Sequence, residues 1–183
     1  MTPDVSPWKT RDSRVVYDNP WIRVREDQVS TPAGTPGRYG VVSMKYLALG
    51  VVVLDEELHT WLVGQWRYTL NAWSWEIPEG GGAAHEDPLR AIQRELREET
   101  GLEADDWRML MEVHTSNSVT DEAAKLYLAR KPRLVGAPTP EDTEELRVRR
   151  IPFAEAVGMV DRGEITDALS VAGLLRVARL LNS

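Results

Sequence analysis

Three glutamates, Glu95, Glu98 and Glu99, stand at i, i+3 and i+4 in a stretch that reads as a helix from Pro88 to Thr100. Residues at those spacings are neighbours on one helix face, so three carboxylates converge there. They also fall in the last two turns, where the helix dipole is negative and cations are favoured. Each like-charge pair opposes the helix by about 0.3 kcal/mol, and each carboxylate set against the dipole by roughly 0.3–1 kcal/mol more. A bound divalent cation reverses the sign of both effects. A solvated acidic face, partly neutralised by Arg90, Arg94 and Arg97, is the alternative that the helix alone leaves open.

The residues upstream narrow that choice. Glu86 lies eight positions before Arg94, and Gly80 lies six before Glu86. Gly80, Glu86, Arg94, Glu95, Leu96, Glu98, Glu99, Gly101 and Leu102 thus form a spaced set that resembles the Nudix box at every defined position. The resemblance implies an α/β (α+β) fold, the Nudix α/β/α sandwich with a mixed central sheet, here preceded by an N-terminal β extension. It also implies a divalent-metal-dependent pyrophosphohydrolase using Mg2+, with Mn2+ as the substitute. By the same resemblance Glu95 and Glu99 are the principal metal ligands, and Glu98 is a further ligand or orients a water. The backbone carbonyl of Glu79 reaches a metal. Arg94 and Glu86 form a structural ion pair, Gly80 and Gly101 are shape residues, and Leu96 and Leu102 belong to the core.

The chemistry explains the residue types. A pyrophosphate resists hydrolysis because its oxygens repel an incoming nucleophile, and divalent ions neutralise that charge and activate water. Hard cations take carboxylate and carbonyl oxygens. Three glutamates on one face beside a glycine run supply both.

Outside the box, several stretches resemble the branch of the family that hydrolyses ADP-ribose and nucleotide sugars. Gln65-Trp66-Arg67-Tyr68 is similar to its substrate-reaching arginine strand. Trp75-Glu76-Ile77-Pro78-Glu79-Gly80 is similar to its run into the box, and the end of residues 115–122 to its segment after the box. The resemblance assigns substrate contacts to Arg67, Glu76, Gly80 and Ser118. The acidic loop Glu141-Asp142-Thr143-Glu144-Glu145 is similar to one that closes over the site. There Glu144 aligns as an extra metal ligand, and Asp142, Glu141 or Glu145 as the catalytic base. Asn117 stands where ADP-ribose specialists carry a proline, which favours a different or broader nucleotide sugar. Cleavage of nucleoside triphosphates or dinucleoside polyphosphates, and a non-catalytic nucleotide sensor, are the competing readings.

Other chemistries lack their residues. No Gly-Lys-Ser/Thr follows the glycine run, which removes the P-loop. His59, His85 and His114 make no i, i+4 metal pair, no Gly-x-Ser-x-Gly elbow occurs, and there is no Cys. Zinc, serine and cysteine hydrolases are therefore excluded. Trp66, Trp73 and Trp75 read as core residues rather than base-stacking platforms.

The elements that must position these residues read as strands around one internal helix. Residues 1–13 read as a loose polar arm, with strand patterning from Arg14. Residues 39–54 read as β throughout, with 60–68 returning as a hairpin partner and 73–77 as a short strand. The glycine run Gly80–Gly82 reads as a loop leading to Asp87, a good N-cap, and Pro88 at the first helical position. Further strands are expected near 109–114, 124–129 and 146–151, and helices near 153–162 and 167–181. Within 183 residues this divides as an arm and β extension over 1–40, the expected dimerisation element, and a hydrolase domain over 41–183.

Net charge points the same way. The chain carries −7, and ten of its 29 acids lie between Glu76 and Asp106, with four more in 141–145. That distribution speaks against nucleic acid or membrane as partner and for cations that in turn bind a small polyanion. With no signal-peptide core and no apolar run long enough to span a bilayer, a cytoplasmic protein is expected, and the resemblance to the nucleotide-sugar branch, whose extension pairs with a second subunit, implies a homodimer.

Overall fold

The computed structural model describes residues 5–83, 85–139 and 145–182. They form two compact units, one built from residues up to 46 with 116–122, the other from 47–115 with the residues from 123 onward.

The first unit is an antiparallel meander of β1 (Lys9–Asp18), β2 (Ile22–Ser30) and β3 (Pro36–Met44). The β1–β2 turn is set by Asn19, whose Oδ1 accepts from the N–H groups of Trp21 (2.9 Å) and Ile22 (2.7 Å). Here the expected loose arm is corrected: from Lys9 onward the chain is strand, with Lys9 opposite Ser30 and Ser13 opposite Asp27. Every residue of β1 is exposed, so the strand has no buried face to imprint an apolar alternation. Polar cross-strand pairs stand in for it. The Ser13 hydroxyl donates to Asp27 at 2.6 Å, and Arg11 donates to Ser30 at 2.8 Å. Ser13, and then Arg25, hold the Asp27 carboxyl below its ordinary range against the opposing effect of burial. Segment 116–122 joins this unit through the pairing of Val42 with Thr120 and through the Tyr39 hydroxyl, which donates to the Ser118 carbonyl at 2.7 Å.

The second unit begins with β4 (Tyr46–Leu54), so the expected continuous strand over 39–54 breaks at Lys45, whose N–H turns to the Trp21 carbonyl. It continues through β5 (His59–Arg67), β6 (Ala72–Glu76), β7 (Glu79–Ala83), α1 (Pro88–Thr100), β8 (Leu102–His114), β9 (Ala123–Leu134), β10 (Arg147–Pro152), α2 (Phe153–Asp161) and α3 (Ala168–Leu181). One sheet has the order β7-β4-β9-β8, with β4 and β9 parallel and β8 antiparallel to β9. The other has the order β10-β5-β6 and is antiparallel. Two expectations change accordingly. Both edges of β4 are taken, by β7 and β9, so β5 pairs with β6 and β10 instead of folding back on β4. The glycine run is a strand, not a loop, because without side chains it can lie flat under the helix that follows.

The alternation of β4 builds the layers. Leu49, Val51 and Val53 pack with Ala91, Ile92 and Leu96 of α1. Val52 and Leu54 face the other way, onto Phe153, Met159, Leu174 and Val177 of α2 and α3. Helix, mixed sheet and helices therefore form three layers, and each buried branched side chain stabilises them by roughly 1.5–3 kcal/mol. Among the described residues no helix is long and apolar enough to cross a membrane.

Candidate active site

Helix α1 is pinned at both ends. The Asp87 carboxylate accepts from the Arg90 N–H at 3.0 Å, with Pro88 in the first turn. At the other end Gly101 adopts φ 71° and donates to the Arg97 carbonyl. A side chain at Gly101 would lie 2.2 Å from the Gly136 carbonyl oxygen as well as being strained, so only glycine fits. The helix thereby presents Glu95, Glu98 and Glu99 at a fixed height above β7.

Strand β7 meets that face without an intervening side chain. A Cβ at Gly80 would sit 2.3 Å from Cδ of Glu95, so the backbone of β7 lies flush against this carboxylate. One residue earlier, the Glu79 N–H donates to Oε2 of Glu99 at 3.0 Å. Glu99 is 3% exposed. Arg94 gathers the remaining box acids: it bonds Glu95 at 2.8 Å, Glu98 at 2.9 Å and, more loosely, Glu86 at 3.4 Å, and it reaches the Gly81 carbonyl at 3.3 Å. Partial burial lowers the Arg94 pKa, but Glu86, Glu95 and Glu98 outweigh it and the net shift is upward. Glu86 in turn is held below its ordinary value, chiefly by its hydrogen bond to Arg94.

A second cluster lies across β5, β6 and β7. Residues opposite each other on paired strands share a face, so Gln65, Arg67 and Glu76 project together while Trp66, Trp73 and Trp75 project to the other side, where Trp66 is exposed and Trp73 and Trp75 only partly buried, which corrects the expectation that they are core. Arg67 forms a fork on Glu76, Nε to Oε1 at 2.8 Å and Nη2 to Oε2 at 2.5 Å, and the same Nη2 reaches Oε1 of Glu79 at 2.6 Å. Gln65 adds a bond to Glu76 at 3.2 Å. Glu76 is 2% exposed, whereas the Arg67 side chain keeps 36% of its surface. Burial acts to lower the Arg67 pKa, and Glu76, then Glu79 and Asp167, raise it beyond its ordinary value. The Glu79 carboxyl is pushed well above the carboxylate range, first by burial and then by the charges of Asp167 and Glu76, with Arg67 pulling the other way. Its Oε2 is buried and has no partner.

The structure thus brings Arg67, Glu76, Glu79, Gly80, Glu86, Arg94, Glu95, Glu98 and Glu99 into one unit. Ser118 belongs to the other unit, where its carbonyl accepts from Tyr39. Asp142 and Glu144 lie outside the described residues, as does Glu141; Glu145 is described and exposed. Sequence reasoning missed two contributions. The Glu79 side chain, considered only for its carbonyl, is a partner of Arg67. Asp167 caps α3 by accepting from the Ser170 N–H, and the Ser170 hydroxyl ties the helix to this region by accepting from the Ile77 N–H at 2.9 Å. Their Asp-x-x-Ser spacing signalled only a helix start.

The donor set fits a divalent cation. Six carboxylates, those of Glu76, Glu79, Glu86, Glu95, Glu98 and Glu99, gather here around the two guanidiniums of Arg67 and Arg94. Without a side chain at Gly80 the backbone of β7 lies directly against the Glu95 carboxylate, and Oε2 of Glu79, one residue away, is a buried acceptor with no partner. A cavity of about 610 Å3 opens beside Arg94 and Glu98, lined also by Gln93, Arg97, Glu103 and Trp107. Elsewhere, Asp55, Glu57 and His59 bring ligand atoms within 4.8 Å of one another, but Arg150 already bonds both acids.

An acidic helix over a glycine strand, inside a sandwich of helices around a mixed sheet, defines a class of metal-using hydrolase. The chain belongs to the Nudix family: the NUDIX domain model matches residues 44–172, and the model of the nucleoside diphosphate sugar hydrolase N-terminal domain matches residues 8–42. It is 34% identical over 176 residues to an ADP-ribose pyrophosphatase of Mycobacterium tuberculosis, covering 93% of this chain and 83% of that one. It is 32% identical over 173 residues to a CMP-5'-(N-acetyl-N-hydroxy-3-aminopropyl)phosphonate hydrolase of Streptomyces rubellomurinus, covering 94% and 83%. A solved ADP compounds hydrolase shares the fold, with a TM-score of 0.82 at 18% identity over 99% of this chain and 97% of the other.

Proposed function

We propose that the protein hydrolyses the pyrophosphate bond of a nucleoside diphosphate sugar, giving a nucleoside monophosphate and a sugar phosphate. The observation that carries this reading is the meeting of two clusters at Glu79, whose N–H holds Glu99 and whose carboxylate holds Arg67. A pyrophosphate needs cation-binding carboxylates directly beside a fixed donor for its oxygens, and this junction supplies that pairing.

Glu95, Glu99, Glu98 and the Glu79 carbonyl hold the cation, for which we propose Mg2+. Bound there, it neutralises phosphate charge and lowers the pKa of water. Arg67 is oriented by the acids on Nε and Nη2, which leaves its Nη1 edge to donate to a phosphate oxygen. Gly80 lets the substrate backbone pass close to β7, and Arg94 with Glu86 holds helix and loop together. Water adds to one phosphorus in line, the bridging P–O bond breaks, and the proton goes to an acid of the 141–145 loop. Asp142 is the proposed base, with Glu141 and Glu145 as alternates, and Glu144 the extra ligand. Ser118 is the proposed contact from the segment after the box.

The protein is further proposed to work as a cytoplasmic homodimer through residues 1–40. Exposed Val15, Val16 and Tyr17 on the fully exposed β1 support a pairing surface there, and sedimentation at micromolar concentration checks it. The decisive test of the activity is a panel at equal Mg2+: ADP-ribose, GDP-mannose and UDP-glucose against deoxynucleoside triphosphates and diadenosine polyphosphates, with products read by 31P NMR. Preference for the first three is expected. Turnover confined to the triphosphates or polyphosphates would reject the reading.

A further inference from the structure

Glu79 is an odd residue to bury if stability were its purpose. Its carboxyl is 12% exposed, one oxygen has no partner, and its neighbours Glu76 and Glu99 are buried acids too. Leaving a buried acceptor unsatisfied opposes folding, and an apolar side chain of similar size would avoid that. What the carboxyl does achieve is geometric. A guanidinium forked on Glu76 alone can tilt about that pair, since both bonds lie along one edge. The third bond, from Nη2 to Glu79 across 2.6 Å, arrives from a different strand and fixes the plane. It comes from the residue whose N–H already sets the Glu99 carboxylate at 3.0 Å, next to the glycine that lies against Glu95.

We infer that the Glu79 side chain is a positioning residue that locks Arg67 in register with the carboxylate helix, so that substrate phosphate and cation are presented at one fixed separation. The inference rests on the proposed substrate role of Arg67. Glu79 acts through Arg67 and touches neither substrate nor cation with its carboxyl.

The test is a double-mutant cycle of Glu79→Gln and Glu79→Met with Arg67→Lys, read by KM, kcat, melting temperature and Mg2+ affinity by calorimetry. Arg67→Lys keeps the charge but lacks the fork. In the wild-type background Glu79→Met is expected to raise KM about tenfold, the loss of one charge-assisted hydrogen bond, and Glu79→Gln, which keeps a neutral acceptor, by less, with kcat and the Mg2+ dissociation constant within about twofold. In the Arg67→Lys background neither variant should raise KM further. The melting temperature should not fall. A KM that stays unchanged, a KM effect that adds in full on Arg67→Lys, or a drop in Mg2+ affinity each overturns the inference, the last because it would make Glu79 a ligand. A melting temperature that falls with Glu79→Met would also overturn it, in favour of a purely structural role. Rotation about the Arg67 Nε–Cζ bond, followed by NMR without substrate, separates this idea from the activity itself. Faster rotation in the variants upholds the lock even if the wild type rejects nucleotide sugars, and unchanged rotation removes it whatever the substrate.

Discussion

Arg94 and Arg67 each gather glutamates, yet they do so in opposite settings. Arg94 reaches acids of its own helix and of the preceding loop, Glu95, Glu98 and Glu86; its side chain is 39% exposed and those of Glu98 and Glu86 are 38% and 28% exposed. Arg67 joins three strands and grips Glu76 at 2% and Glu79 at 12% exposure. Around Arg94, water can take over Glu98 or Glu86 if the guanidinium releases them, so those bonds can exchange for bonds to a cation. Around Arg67 the acids are shielded from water, and Glu76 keeps only the bond from Gln65 besides the guanidinium's. The difference separates a cluster suited to rearrangement from one suited to holding still, and an enzyme that admits ions while fixing a phosphate needs one of each.

The largest expected effect breaks the buried cluster. Arg67→Ala strands Glu76 and Glu79 as uncompensated buried acids and should lower stability by about 3 kcal/mol. Arg94→Ala should lower it by less, about 1 kcal/mol, because Glu98 and Glu86 remain solvated. Urea denaturation of both variants checks this. Equal losses would show that the two settings do not differ as their burial suggests.

Next is Glu99→Gln. The amide can still accept from the Glu79 N–H, so the helix should stay in place while an anionic oxygen is lost. We expect the far-UV spectrum and melting temperature to hold and kcat to fall by at least about 100-fold, as for loss of a group that carries metal charge. Full turnover by this variant would remove Glu99 from the metal set.

How much of this was legible beforehand depends on whether the information is local. Helix α1 and its caps were, because Asp87, Pro88 and Gly101 act on the turns beside them. The face-splitting of β4 was half legible: the apolar run was plain, but which residues met α1 and which met α3 needed the layers. Strand β1 was not, since Lys9-Thr-Arg-Asp-Ser13 has no buried side, and only its register against β2 makes it a strand. The pairing of β5 with β10 links His59 to Pro152, a separation no local pattern records. At the site, the box glutamates announced themselves through helical spacing. The bond from Arg67 to Glu79 spans twelve residues and two turns of chain, and Glu79 sits between Pro78 and Gly80, where a turn rather than a buried acid is the natural reading.

A smaller effect should follow from Gly80→Ala. The new Cβ would fall 2.3 Å from Cδ of Glu95, but that atom is the far end of a flexible side chain and can swing away. Stability should therefore change little, while Mg2+ affinity drops about tenfold because Glu95 is displaced from the ligand face. Calorimetry with Mg2+ on wild type and variant measures it. Unchanged affinity would mean that the close approach of β7 to Glu95 has no part in holding the ion.

The smallest effect discriminates the clusters by pH. Glu86 is partly exposed and Arg94 depresses its pKa, so the folded protein releases that proton more readily than the unfolded chain does. Just below the ordinary glutamate value of about 4.3 the unfolded chain binds more protons, and stability there rises with pH. The contribution of the pair is therefore complete above that value and disappears as pH falls through the lower folded pKa. Glu86→Gln removes the titrating group. Its melting temperature should lie slightly below that of the wild type at pH 7, and the two should converge once pH has fallen through the lowered folded value. Glu79 is shifted in the opposite direction by burial and by its acidic neighbours, so a shared acid transition cannot produce that convergence. A gap between wild type and Glu86→Gln that persists below the lowered Glu86 value would place the stabilising part of Glu86 in its packing rather than in its charge, and would leave Arg94 bound by Glu95 and Glu98 alone.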